Sequence, residues 1–169
     1  MRIASISTGF LEVPGQASTN IFVQGCSIKC PGCHTPLLQD PSGGEEVTQK
    51  EFEEIFQNGR SFIKWVCWLG GEPSDQAKEC IKLNKKLKKL GYFIALYSGK
   101  ELSELPDKLL LDIDLVKAGS WKGKVVSDEE SNQAFFIKNK FLGMEFGLLQ
   151  YSEVEDKISK YMKEVKNVT

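Results

Sequence analysis

Gly25-Cys26-Ser27-Ile28-Lys29-Cys30-Pro31-Gly32-Cys33-His34 is the stretch on which the reading of this chain turns. Its spacing is C-x3-C-x2-C, three thiols within eight residues, with glycines and a proline bending the chain around them. Thiolates in such numbers hold iron–sulfur clusters. A four-iron cluster given three protein ligands keeps one iron open, and an open iron can take a small molecule and do chemistry. The alternative is zinc. A structural zinc site takes four Cys or His ligands in paired spacings. Only His34, Cys67 and Cys80 could supply the fourth, and His34 adjoins Cys33, an awkward geometry for two ligands of one tetrahedral ion.

Working outward, the loop follows Thr19–Gln24 (TNIFVQ), which reads as a strand. Ile3–Ser7 predicts a short strand before it. Thr48 and Glu51 form a Thr-x-x-Glu capping box that opens a helix with Phe52, Ile55 and Phe56 on its apolar face. Lys64–Leu69 (KWVCWL) is a compact strand ended by Gly70-Gly71-Glu72-Pro73. A helix capped by Ser74 or Asp75 runs to about Leu90, with Gly91 as its stop. Its lysines, from Lys82 to Lys89, read as a solvated face. Tyr92–Tyr97 is a strand ended by Ser98-Gly99, and Asp114–Lys117 is another, ended by Ala118-Gly119. Ala134–Lys138 reads as one more strand. Ser152 and Glu155 form a second capping box, with Val154, Ile158 and Met162 turned inward.

Strands alternating with helices argue for parallel βαβ units. A complete (β/α)8 barrel needs about 250 residues, and this chain has 169. The expected fold is therefore α/β: a partial, open (β/α) barrel of five or six mainly parallel strands with outer helices. One domain over 1–169 is expected, with a core at about 10–139 and a tail with a helix over 140–169. Sites in such sheets lie beyond the C-terminal ends of the strands. The Cys loop, Gly70–Pro73, Ser98-Gly99 and Gly119 all fall there.

Composition narrows the classes further. Hydrophobic content of 41% and charged content of 27% are those of an ordinary globule. A net charge of −1 offers no broad basic field for nucleic acid or a membrane surface, and only Arg2 and Arg60 are arginines. Five cysteines with three crowded together do not make a secreted disulfide framework. Nothing in the sequence resembles a signal peptide or an apolar span. The expected location is the cytoplasm.

The Cys loop and the Gly70-Gly71-Glu72-Pro73 segment together resemble the radical S-adenosylmethionine superfamily. The resemblance covers about residues 10–135. It implies a 4Fe-4S cluster held by Cys26, Cys30 and Cys33, with S-adenosyl-L-methionine on the fourth iron. It also implies cofactor contacts at Gly32, Cys33, His34, Gly70, Gly71, Glu72 and Pro73, and a hydroxyl near the ribose at Ser98. Within the superfamily the chain is most similar to the activating proteins of anaerobic ribonucleoside-triphosphate reductase. Its shortness, the Cys-Pro-Gly-Cys-His order, Val13-Pro14-Gly15 and Ser131-Asn132-Gln133 carry that view. Glu72 departs from the Asp usual there, and the chain continues 36 residues past Gln133.

That resemblance implies an oxidoreductase that cleaves S-adenosylmethionine to a 5′-deoxyadenosyl radical and leaves a glycyl radical on the reductase. Its partners would be the glycyl-radical subunit and a flavodoxin- or ferredoxin-type electron donor. The tail from Lys140 to Thr169 is expected to guide docking. Two other readings stay open: a radical enzyme on a small molecule, similar to 7-carboxy-7-deazaguanine synthase, and a non-enzymatic metal-binding module. Cys67 and Cys80 read as core. Trp65, Trp68 and Trp121 read as core or interface, with Trp121 the most exposed of the three.

Overall fold

The structure, a computed structural model, describes residues 1–57, 62–121, 134–138, 146–149 and 151–166. Its strands are β1 (Arg2–Val13), β2 (Gln16–Val23), β3 (Glu45–Glu46), β4 (Trp65–Gly70), β5 (Phe93–Tyr97), β6 (Leu115–Ala118), β7 (Ala134–Lys138) and β8 (Phe146–Leu149). The helices are α1 (Gln49–Gln57), α2 (Ala77–Lys89), α3 (Asp107–Leu110) and α4 (Tyr151–Lys166). The strands form one open sheet in the order β3-β1-β2-β4-β5-β6-β7-β8.

The expected open α/β sheet is present. At its centre β2, β4, β5 and β6 run parallel, with Val23 opposite Gly70, Trp65 opposite Phe93 and Tyr97 opposite Lys117. Antiparallel strands flank this centre on both sides. Among the described residues the sheet has eight strands where five or six were expected. The two-residue β3 and the Gly-containing β8 are too short or too weak in pattern to read from sequence. β1 extends beyond Ser7 because it pairs with β2 along most of its length, down to Val13 opposite Gln16. Tertiary pairing there overrides a sequence rich in Ser, Thr and Gly.

Alternation along the strands separates two cores. Val66, Trp68, Ile94, Leu96 and Val116 face α1, α2 and α3, where Phe52, Leu83, Leu87 and Leu109 meet them. Trp65, Cys67, Ala95 and Leu115 face the opposite side, where Val154 and Ile158 of α4 are buried and Met162 is partly buried against them. α4 begins at Tyr151, one residue ahead of the expected Ser152 cap. The terminal helix expected to guide a partner therefore lines the second core.

The Thr48 capping box forms as expected: the Thr48 amide donates to Glu51 Oε2 at 2.8 Å and the Glu51 amide donates to Thr48 Oγ1 at 3.3 Å. The Thr48 hydroxyl, which donates to Glu51 Oε2 at 2.7 Å, and then the Thr48 amide hold the Glu51 carboxyl below its usual range. Gly91 ends the α2 region with φ +83°, the left-handed stop that glycine allows. The lysine face is only partly solvated. Lys86 pairs with Glu53, and Lys88 pairs with Asp114 at 2.7 Å. Neither Ser74 nor Asp75 caps α2. Gln76 precedes its first turn without a side-chain cap, and Asp75 is turned toward the cysteine loop instead. No described helix is long and apolar enough to cross a membrane.

Candidate functional site

The loop after β2 is closed by backbone. The Gly25 amide donates to Leu38 O at 2.8 Å and the Cys26 amide to Gln39 O at 3.3 Å. Pro36–Gln39 forms a 3-10 turn that makes this return. The buried Gln24 amide group donates to Leu37 O at 2.9 Å and Asp40 O at 2.7 Å, so the loop is stitched from beneath. Lys29 and Gly32, each just before a cysteine, have left-handed φ of +52° and +67°. Glycine makes the second turn without strain. Cys26, Cys30 and Cys33 are free thiols, half-buried rather than enclosed.

Gly70-Gly71-Glu72-Pro73 extends β4 against the start of that loop. The Gly71 amide donates to Val23 O and the Glu72 amide to Gly25 O, both at 2.9 Å. A Cβ on Gly71 would stand 2.1 Å from Gly25 O, backbone against side chain. Gly70 takes φ +103°, and a Cβ there would stand 2.8 Å from Val23 N. The sequence pointed these glycines at a ligand. The group they approach within the chain is the backbone of the cysteine strand, and both also line the cleft described below.

Glu72 points inward and is buried. Its carboxylate accepts from Ser74 N at 3.0 Å, from Ser98 Oγ at 2.9 and 3.0 Å, and from Gly99 N at 3.1 Å. A buried carboxylate costs free energy unless hydrogen-bonded, and these donors satisfy it. Ser98 Oγ, itself buried, also accepts from Lys100 N at 3.0 Å. Its one proton is thus engaged with Glu72. Pro73 is buried at the start of the 3-10 turn Pro73–Gln76. The Glu72–Ser98 contact ties the end of β4 to the end of β5.

Further ties reach the loop from residues that sequence reasoning did not assign to the site. Asp75 accepts from Ser27 N at 2.7 Å and Ser27 Oγ at 2.9 Å. Lys100 Nζ donates to Asp75 Oδ1 at 3.1 Å and Ser74 Oγ at 2.8 Å. Ile28 lies over Gly99, where an added Cβ would stand 2.8 Å from Ile28 Cδ1. Trp121, just past β6, donates from Nε1 to Gly32 O at 3.2 Å and meets the exposed His34 ring edge-on at 4.6 Å. Trp121 is half-buried, the most exposed of the three tryptophans, as expected. Its place after a strand end, beside Gly119, was the available signal. Ser131-Asn132-Gln133 lies outside the described residues.

A cleft of about 300 Å³ opens among these groups, lined by Cys30, Cys33 and His34, by Gly70 and Gly71, by Tyr97 to Gly99, and by Trp121. It lies beyond the C-terminal ends of the parallel strands. The residues fit an open cluster better than zinc. Among the described residues no three His, Cys, Asp or Glu groups converge on one ion, as a closed zinc site requires. Of the three candidate fourth ligands only His34 is in the loop; the two cysteines are elsewhere. Cys67 is buried under α4, Cys80 is buried on the other sheet face, and Cys80 Sγ lies 3.6 Å from Pro73 O. Burial pushes both thiols well above their ordinary range. Neither is poised to become a thiolate.

Residues 13–136 match the family described as the 4Fe-4S single cluster domain. That is well over half of the chain, which therefore belongs to this family, within the radical S-adenosylmethionine superfamily that the loop resembles. Its cofactors are a 4Fe-4S cluster and S-adenosylmethionine. The relatives include a pyruvate formate-lyase-activating enzyme of Clostridium pasteurianum, 30% identical over an alignment of 133 positions that covers 72% of this chain and 56% of that protein. Two others are provisionally named glycyl-radical enzyme activating enzymes. One, from Haemophilus influenzae, is 30% identical over 62% of this chain and 44% of its own length. The other, from Methanocaldococcus jannaschii, is 29% identical over 83% of this chain and 58% of its own length. The chain spans about half the length of these curated relatives.

Proposed function

We propose that this protein is a glycyl-radical activating enzyme and that its substrate is a glycine of an anaerobic ribonucleotide reductase. The observation that carries the reading is the placement of three half-buried thiols in one loop at the strand ends, two of them, Cys30 and Cys33, lining a cleft, with Cys67 and Cys80 buried in the cores. Relatives named as activating enzymes support the activase class. The order Cys30-Pro31-Gly32-Cys33-His34 supports the reductase as target by resemblance.

In this reading Cys26, Cys30 and Cys33 hold the cluster. When bound, the reduced cluster and S-adenosylmethionine supply a 5′-deoxyadenosyl radical, which removes a hydrogen atom from the substrate glycine. The chain's own residues bind and orient. Gly32, Cys33 and His34 offer backbone to the cofactor, as do Gly70, Gly71 and Pro73. Glu72 and Ser98 act through the turns they brace, since their polar atoms already engage each other. Trp121 and His34 form an aromatic wall suited to a flat base. The open sheet leaves a side from which a partner's loop enters. A flavodoxin- or ferredoxin-type protein supplies the electron, and the reaction runs in the cytoplasm. The packing of α4 on the sheet supports reading 1–169 as one domain.

The test is to mix the anaerobically loaded protein with reductant, S-adenosylmethionine and the reductase. A glycyl-radical signal on the reductase, with one methionine formed per radical, is expected. Rapid turnover on a small molecule with no protein radical would sink the activase reading.

A further inference from the structure

Asp75 and Lys100 stand beside the cysteine loop without lining the cleft. Asp75 takes both the amide and the hydroxyl of Ser27, at 2.7 and 2.9 Å, and Ser27 directly follows Cys26. A carboxylate is thereby fixed one residue from a thiol assigned to the cluster. Lys100 Nζ, 3.1 Å from Asp75 Oδ1, is fixed as firmly. It also donates to Ser74 Oγ at 2.8 Å, and its own backbone amide is held by Ser98 Oγ at 3.0 Å. Ser98 in turn is bound to the buried Glu72. Both charged side chains are only about a quarter exposed, 26% for Asp75 and 28% for Lys100, so solvent screens them less than a surface pair.

A merely structural clamp could be built from neutral groups, because the Ser27 donors need only an acceptor. The charges have a consequence of their own. Reduction adds an electron to a centre held by thiolates, and cluster potentials depend on net charge, hydrogen bonding and exposure. A nearby carboxylate opposes that electron, and a cation within hydrogen-bond reach of the carboxylate offsets the opposition.

We infer that Asp75 and Lys100 are positioning residues whose paired charges set the reduction potential of the cluster from the Cys26 side of the loop. This rests on the assignment of the cluster to Cys26, Cys30 and Cys33. Asp75 lowers the potential, Lys100 raises it, and the pair holds the loop with little net charge.

The test is an anaerobic potentiometric titration of the reconstituted cluster, without S-adenosylmethionine, followed by electron paramagnetic resonance. Wild type is compared with Asp75→Asn, Lys100→Gln, Lys100→Arg and the Asp75→Asn/Lys100→Gln double variant. Asp75→Asn is expected to raise the midpoint potential and Lys100→Gln to lower it. The double variant and Lys100→Arg should return close to wild type. Shifts in the same direction for both single variants, or no shift, overturn the inference. So does a single variant that folds, by circular dichroism, yet takes up no cluster, because loop shape and not charge would then be the role. If wild type itself takes up no cluster, the cluster assignment fails first, and the inference with it.

Discussion

Cys67 and Leu69 sit two residues apart on β4, on the same side of the sheet, and Leu69 packs against the edge of the core that encloses Cys67, yet only Leu69 reaches the cleft. Cys67 is sealed under Val154 and Ile158 of α4. Leu69, one pleat further toward the C-terminal end, lines the cleft beside the cysteine loop. The opposite face shows no such division: it is apolar from Ile21 to Ala118 and covered by α1, α2 and α3. The lesson is that one sheet face can be core at its lower end and open cleft at its upper end. The upper end then needs polar braces, Glu72–Ser98 and Asp75–Lys100, in place of the packing that holds the lower end.

The largest expected effect breaks that contrast between the two kinds of cysteine. Cys26→Ala, Cys30→Ala and Cys33→Ala should each remove the cluster and all cofactor cleavage, read as iron per chain and visible absorption. Cys67→Ala and Cys80→Ala should retain both. Loss of iron from a folded Cys67→Ala protein would restore the four-ligand module.

Removing α4 tests the lower end. Burying two aliphatic side chains such as Val154 and Ile158 contributes on the order of 4 kcal/mol, a large share of a domain's net stability. A chain ending before Tyr151 should therefore unfold or aggregate, and Ile158→Ala should lose about 2–5 kcal/mol in urea denaturation. A truncated protein that folds normally and fails only with its partner would return α4 to a docking role.

Gly71→Val sharpens the seam between β4 and the cysteine strand. The collision with Gly25 O is with backbone, so relief requires the strand ends to part. A loss of about 1–3 kcal/mol is expected, together with impaired cluster retention. If cofactor affinity alone fell and the cluster were unaffected, the glycine would be serving the ligand and not the seam.

Trp121→Ala should weaken binding of 5′-deoxyadenosine about tenfold, in keeping with an aromatic contact of about 0.5–1.5 kcal/mol beyond area burial. Methionine binding should not change. Calorimetry with each fragment separates the two ends of the cleft, and equal losses for both would remove Trp121 from a base-binding role.

The smallest effect is alkaline. Burial raises the Cys67 and Cys80 thiols in the folded protein, so they stay protonated there and ionise first in the unfolded chain. Their contribution to stability is complete below the ordinary thiol value of about 8.5 and declines as pH rises through it. Cys80→Ala should flatten part of that decline in denaturation curves at pH 8 to 10. At neutral pH, iodoacetamide should label the three loop cysteines of the apo-protein and spare these two.

Much of this was legible in the chain itself. The cysteine loop, the glycine pair and the strand-ending turns are local, because spacing and turn chemistry act within a few residues. They predicted an open α/β sheet with its site at the strand ends, and the Thr48 capping box formed as read. Less legible was what each residue faces. Glu72 was read toward a ligand, and its carboxylate is spent on Ser98 and Gly99. Asp75 was read as a cap, and it holds Ser27 across 48 positions of sequence. Trp121 reaches Gly32 across 89.

By itself, then, the sequence determined the C-x3-C-x2-C spacing, the alternation of strands and helices, and a net charge of −1. Those follow from residue type, short-range spacing and composition. Only the tertiary structure decided that α4 fills the lower sheet face, that Gly71 serves the seam with Gly25, and that Asp75, Lys100 and Trp121 support the loop. Each of these depends on the order β2-β4-β5-β6 bringing distant strand ends side by side. Backbone closure across that sheet, and not any local preference, selects their partners.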